Sequence, residues 1–113
     1  MRLVRFGVRE GRPIDRFGSA GFSITPLARL GEGQVVCARL ERGGRIGRHP
    51  ASGRQLLAVV DGLGTVSGED GIAHAVTPGD AVVWEPGEEH ETQTVEGLTA
   101  IIVEGEAVDV LAS

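Results

Sequence analysis

Three histidines, one cysteine and a scatter of carboxylates are the side chains of this sequence able to do chemistry. His90 is the most pointed of them. It follows a Pro86-Gly87 turn and opens an alternating run to Val95, so its imidazole can be aimed from the mouth of a strand into an enclosed space. An imidazole so placed suits a metal ion or a small ligand. Other reaction chemistries lack their parts. No glycine-rich phosphate loop precedes a helix, no serine sits at a nucleophile elbow, and Cys37 has no identifiable base beside it. His74 falls in a hairpin strand and reads as a surface or edge residue. Glu85, Glu88, Glu89 and Glu91 read as a solvated acidic turn, with Glu88 the one placed to lean over a mouth.

The elements that must position His90 are short strands. Gly79-Asp80 reverses the chain out of Val76-Thr77-Pro78, and Ala81 to Trp84 has strand character before the Pro86-Gly87 turn. Upstream, Leu3 to Phe6 reads as a first short strand and Arg9 to Gly18 as an irregular, charged arm. Gly21 to Leu30 is strand-like with Pro26 fit only for an edge. Gln34 to Glu41 alternates, and Val36, Ala38 and Leu40 are the core-facing set because the other face carries Arg39. Gln55 to Val60 and Leu98 to Val103 are apolar on both faces and read as covered strands. Asp61-Gly62 is a hairpin signal returning through Thr65-Val66, and Ser67 to Gly71 turns into Ile72 to Val76. Ala107 to Leu111 reads as a short strand or one helical turn. No stretch holds a 3.6-residue period, and no repeat is present. The expectation is an all-β sandwich or barrel of eight to ten strands.

Composition agrees and excludes several function classes. Eighteen glycines and five prolines in 113 residues are dispersed between short Val/Leu/Ile runs. At this length the chain is one domain, 1–113, read as an arm (about 1–20), a barrel (about 21–104) and a tail (105–113). A formal net charge of −5 and few aromatic residues argue against nucleic acid and anionic membrane as partners. No apolar run approaches the roughly 20 residues of a membrane span. Charges interrupt the apolar residues of Met1 to Gly11, which does not read as a secretory signal. The single Cys37 reads as a buried small apolar residue in a reducing cytoplasm. Two strands apolar on both faces need an outer cover, which a homodimer would supply.

The spacing of the glycines and histidines resembles the cupin superfamily, and within it the small single-domain bacterial cupins. Gly43, five residues, His49, Pro50, Ala51, three residues, Gln55, six residues and Gly62 match its first motif without insertion. Gly79, five residues, Glu85, Pro86, Gly87, two residues, His90, three residues and Thr94 match its second, with Glu85 where the family has proline and Thr94 where it has asparagine. The resemblance covers about residues 34–104 and implies a jelly-roll β-sandwich or barrel. In metal-binding cupins the first motif gives two histidines and a glutamate, and the second gives one histidine. By position this chain keeps His49 and His90 but has Ala51 at the second histidine and Gln55 at the glutamate. The implied metal ligands are therefore His49, Gln55 and His90, a less charged set suited to nickel, zinc, iron or copper, or to no metal at all.

Two functions stay open. One is a non-catalytic barrel binding a small polar or anionic molecule through His49, Gln55 and His90, with Trp84 stacking and Arg48 drawing an anion to the rim beside Arg45 and Arg54. The other is a metal-dependent cupin enzyme, of the dioxygenase, isomerase or cyclase kind, using His49, Gln55 and His90. The fold alone chooses neither.

Overall fold

The computed structural model describes residues 1–113. Nine strands form it: β1 (Arg12–Ile14), β2 (Ala20–Leu30), β3 (Gly33–Pro50), β4 (Arg54–Gly62), β5 (Gly64–Ser67), β6 (His74–Val76), β7 (Ala81–Trp84), β8 (Glu89–Gln93) and β9 (Leu98–Gly105). All pairings are antiparallel, in the order β6-β5-β8-β3-β9-β4-β7, with β2 beside β3 and β1 on β2. No helix is long and apolar enough to cross a membrane. The all-β expectation holds.

The long strand β3 rolls the sheet into a barrel. Its first half pairs with β9 through Gln34–Leu40, and its second half with β8 through Arg45–Pro50. Between them lies the Gly43-Gly44 bend. Gly43 has φ +74, and a Cβ on Gly44 would touch the carbonyls of Glu41, Gly21 and Ala20. The two layers then face each other across Val36, Ala38, Leu40, Ile46, Leu57, Val59, Val66, Leu98, Ala100 and Ile102. Alternation on β3 is as expected: Val36, Ala38 and Leu40 join the core, while Cys37 is buried on the opposite face.

Several local expectations need correction. Leu3 to Phe6 is not a strand but an exposed segment whose backbone finds no sheet partner. The arm is less irregular than its composition implies, because β1 pairs with Phe22–Ile24 and a 3₁₀ turn, Arg16–Gly18, follows it. Asp61-Gly62 does not close a hairpin. β4 lies between β9 and β7, whereas β5 pairs with β6 and β8, so this turn carries the chain from one layer to the other. Ala107 to Leu111 forms neither strand nor helix. That tail is pinned by Arg54 Nη1, which donates to the Val108 carbonyl at 2.6 Å. Pro26 sits beyond the stretch covered by β1, with a register shift between it and Ala28, as its missing N–H demands.

The two doubly apolar strands lie inside the sheet. Their inner residues are buried, but on the outer face Leu56, Ala58, Ile101 and Val103 are only half-buried and Val60 and Val83 are exposed.

Candidate functional site

His49 and His90 face each other across β3 and β8 as register partners. Strict alternation would not bring His49 inside together with Ile46, since they stand three positions apart. A β-bulge between Ile46 and His49 absorbs one residue and turns both side chains inward. The same bulge sends Arg48 outward, where its guanidinium donates to the carbonyls of Gly68 (2.7 Å) and Glu69 (3.3 Å). Arg48 therefore stands away from the histidines. Arg45 and Arg54 are likewise engaged elsewhere, Arg45 on the Gly18 carbonyl at 2.9 Å and Arg54 in an ion pair with Glu85 at 2.9 Å.

The imidazoles belong to a column of four rings. Phe17 lies parallel on His49, with centroids 4.4 Å apart and an interplanar angle of 5°. The His49 and His90 centroids are 4.3 Å apart, and Trp84 packs 4.4 Å behind His90. Trp84 is 2% exposed and supports His90 from the core side. Phe17 covers the column from the arm. It is the one non-glycine residue with positive φ, at +58, a conformation that costs about 1–2 kcal/mol. Gly47 makes this seat possible: its N–H donates to Ser19 Oγ at 2.9 Å, and a Cβ there would fall on the Phe17 carbonyl.

Each histidine has its tautomer set by a backbone carbonyl two residues earlier. His49 Nδ1 lies 2.7 Å from the Gly47 oxygen, and His90 Nδ1 lies 3.1 Å from the Glu88 oxygen. A carbonyl only accepts, so both protons sit on Nδ1 and each neutral ring is left with a bare Nε2. Burial pushes His90 below the ordinary histidine pKa. The charge of His49 acts the same way, and the Glu88 carbonyl and the carboxylates of Glu104 and Glu88 oppose it. The Glu88 carbonyl also accepts the N–H of Ala51, which ties the end of β3 to the β7–β8 turn.

Gln55 is 6% exposed and donates from Nε2 to Glu104 Oε2 at 2.6 Å. The two are register partners on β4 and β9. Glu104 is thus a site residue that the motif spacing did not point to. The signal lay in alternation: Leu98, Ala100 and Ile102 face inward, and Glu104 is next in that series. Arg16 and Phe17 were hidden in the arm.

These groups line a cavity of about 360 Å³, with Arg16 and Phe17 at its mouth and His49, His90, Gln55 and Glu104 among its walls. Glu88 is not at that mouth. Its Oε1 accepts the N–H of Glu85, and with His74 it borders a separate cleft near Trp84. His74 is exposed on the edge strand β6. No three His, Cys, Asp or Glu side chains gather closely enough to hold a metal ion. Two imidazoles and a Gln55 amide already paired to Glu104 are a smaller and less charged donor set than a resident ion takes.

A family model described as "Cupin domain" matches residues 36–104. The search of curated proteins finds no match. Among solved structures the chain is similar to a predicted oxalate decarboxylase from Thermotoga maritima, at 19% identity and a TM-score of 0.78, covering 90% of this chain and 96% of that one. It is also similar to KdgF from a Halomonas species (23% identity, TM-score 0.70, covering 83% of this chain and 85% of that one). A third is an RmlC-like cupin with a double-stranded β-helix fold from Methanocaldococcus jannaschii (18%, 0.71, covering 94% and 91%). At such identities these likenesses speak to the fold alone.

Proposed function

The chain belongs to the cupin family, and from that premise we propose that its barrel is a small-molecule-binding module whose site is the cavity between His49, Gln55, His90 and Glu104. The observation that carries this reading is the pair of inward imidazoles, each with Nδ1 committed to a carbonyl and Nε2 left unpartnered beside the cavity. Nothing in the fold needs those two lone pairs. The volume suits a small polar or anionic molecule, and Arg16 places one guanidinium at the rim. Arg48, held on the far side of β3, has no part in it, and Trp84 acts by backing His90. We further propose a homodimer built on the outer face of β4 and β9, where Leu56, Ala58, Ile101 and Val103 are half-buried. A monomer in size-exclusion chromatography with light scattering would remove that part.

A thermal-shift screen of metal-stripped protein against small polar metabolites tests the binding reading. A ligand at 100 times its Kd adds about 2.7 kcal/mol to stability, enough for a clear rise in Tm. Substitution of Gln55 or His90 should abolish the rise, and a rise that survives both substitutions places the ligand elsewhere. The second reading, a metal-dependent enzyme, draws on the same two free Nε2 atoms. It requires near-stoichiometric transition metal in tag-free protein, lost in both His49→Ala and His90→Ala.

A further inference from the structure

We infer that the cavity walls recognise their ligand through the ligand's own hydrogen-bond donors, an ammonium or neighbouring hydroxyls, and that a carboxylate docks only at the rim on Arg16. This deepens the binding reading above and rests on it. His49 and His90 spend their N–H groups on the carbonyls of Gly47 and Glu88, at 2.7 Å and 3.1 Å, so their Nε2 atoms are acceptors.

Gln55 gives one N–H of its amide nitrogen to Glu104 at 2.6 Å and keeps the second as a donor. The reverse amide orientation would set an oxygen against a carboxylate, so chemistry fixes the assignment. Beside that second N–H, Gln55 offers Oε1, again an acceptor. Glu104 accepts on both oxygens, the second from Gln34 Nε2 at a weak 3.4 Å, and keeps lone pairs to spare. Ser19 Oγ accepts the Gly47 N–H and keeps its own O–H to donate, and the hydroxyls of Ser52 and Thr92 can act either way.

The walls therefore present four groups with lone pairs to spare, one of them a carboxylate, against uncharged donors alone (the Gln55 N–H and three hydroxyls), and the fixed cation of the cavity is Arg16 at the mouth. A carboxylate pushed inward would meet like charge and bare lone pairs. An ammonium or a pair of hydroxyls would meet a partner for every proton. A molecule carrying both kinds of group is best satisfied with its donors inward and its anion at Arg16.

Long-range proton–nitrogen correlation spectra of the imidazoles test this in the full chain, uniformly labelled and stripped of metal. Ethanolamine, 1,2-propanediol, sodium acetate and zinc chloride are added separately, and His74→Gln simplifies the assignment. The expected result is the Nδ1–H tautomer for His49 and His90, with Nε2 resonances that shift with ethanolamine or propanediol and not with acetate. Glu104→Gln should weaken the ethanolamine response by about tenfold, the worth of one charge-assisted hydrogen bond. An Nε2–H tautomer at either ring overturns the inference. So does a shift with acetate while the amine and diol are inert, which leaves the binding reading standing. A response to zinc alone, or to no probe, overturns both.

Discussion

Replacing Gly47 by alanine should lift the arm off the barrel without unfolding it. The added Cβ would fall on the Phe17 carbonyl and 3.1 Å from the carbonyl carbon of Gly18, so something must move. If the barrel gave way, overpacking at the bulge would cost about 1–3 kcal/mol and disturb the His49–His90 pairing. If the arm gave way, the chain would lose the Gly47–Ser19 hydrogen bond, about 1 kcal/mol, and the Phe17–His49 stack, about 0.5–1.5 kcal/mol. Against that loss, Phe17 would leave its left-handed conformation and recover about 1–2 kcal/mol. Arm release is the cheaper route, at a net cost of about 1 kcal/mol or less. Urea denaturation should show that small loss with an unchanged m-value. Limited trypsin digestion should show faster cleavage after Arg16, since the 3₁₀ turn is no longer seated. Unchanged cleavage with a loss of about 3 kcal/mol would put the clash in the barrel and refute this reasoning. Unchanged cleavage and unchanged stability would mean that the arm does not rest on Gly47.

Four further outcomes follow from the same contacts. Because burial lowers the folded pKa of His90 below its unfolded value of 6.5, the unfolded chain takes up the proton first as pH falls. Stability should then drop as pH descends from about 6.5 toward the folded pKa, with a slope of at most about 1.4 kcal/mol per pH unit, and urea melts of His90→Gln should lack that slope. Glu104→Ala leaves the buried amide of Gln55 without its acceptor and should cost about 1–3 kcal/mol by denaturation, with Glu104→Gln milder. Trp84→Ala should cost about 3–5 kcal/mol and, by letting water reach His90, return its pKa toward the ordinary value in an NMR titration. Phe17→Gly should be nearly neutral in stability, since the lost stack is offset by relieved backbone strain, while hydrogen exchange in Arg16–Ser19 accelerates.

The barrel was legible because turn chemistry and the period of two are local properties. Alternation in Gln34–Glu41 marks the inner face correctly, and Leu98–Val103, apolar on both faces, lies inside the sheet. The motif spacing finds the two histidines that meet. What escaped depends on partners distant in the chain. Asp61-Gly62 has the chemistry of a hairpin, but which strand the next segment joins is decided by β8, some thirty residues on. Arg12-Pro13-Ile14 holds too few apolar residues to read as a strand and becomes one by pairing with the edge of β2. Sequence adjacency puts Arg48 beside His49, and the bulge that separates their side chains leaves no local mark beyond Gly47. Glu104 could have been found by extending the alternation one step past the apolar run. An inward carboxylate beside Gln55 changes the chemistry of the cavity more than any other residue missed.

The central claim is that the space between His49, His90, Gln55 and Glu104 is a small-molecule site entered beneath Phe17. An electron-density map from crystals of tag-free protein, grown with the best ligand of the thermal-shift screen, tests it most directly. The expected result is ligand density in hydrogen-bond contact with Glu104 and with Nε2 of at least one histidine, with Phe17 displaced or stacked on the ligand. Ligand density at another surface, or a metal ion held by both imidazoles in its place, would contradict it.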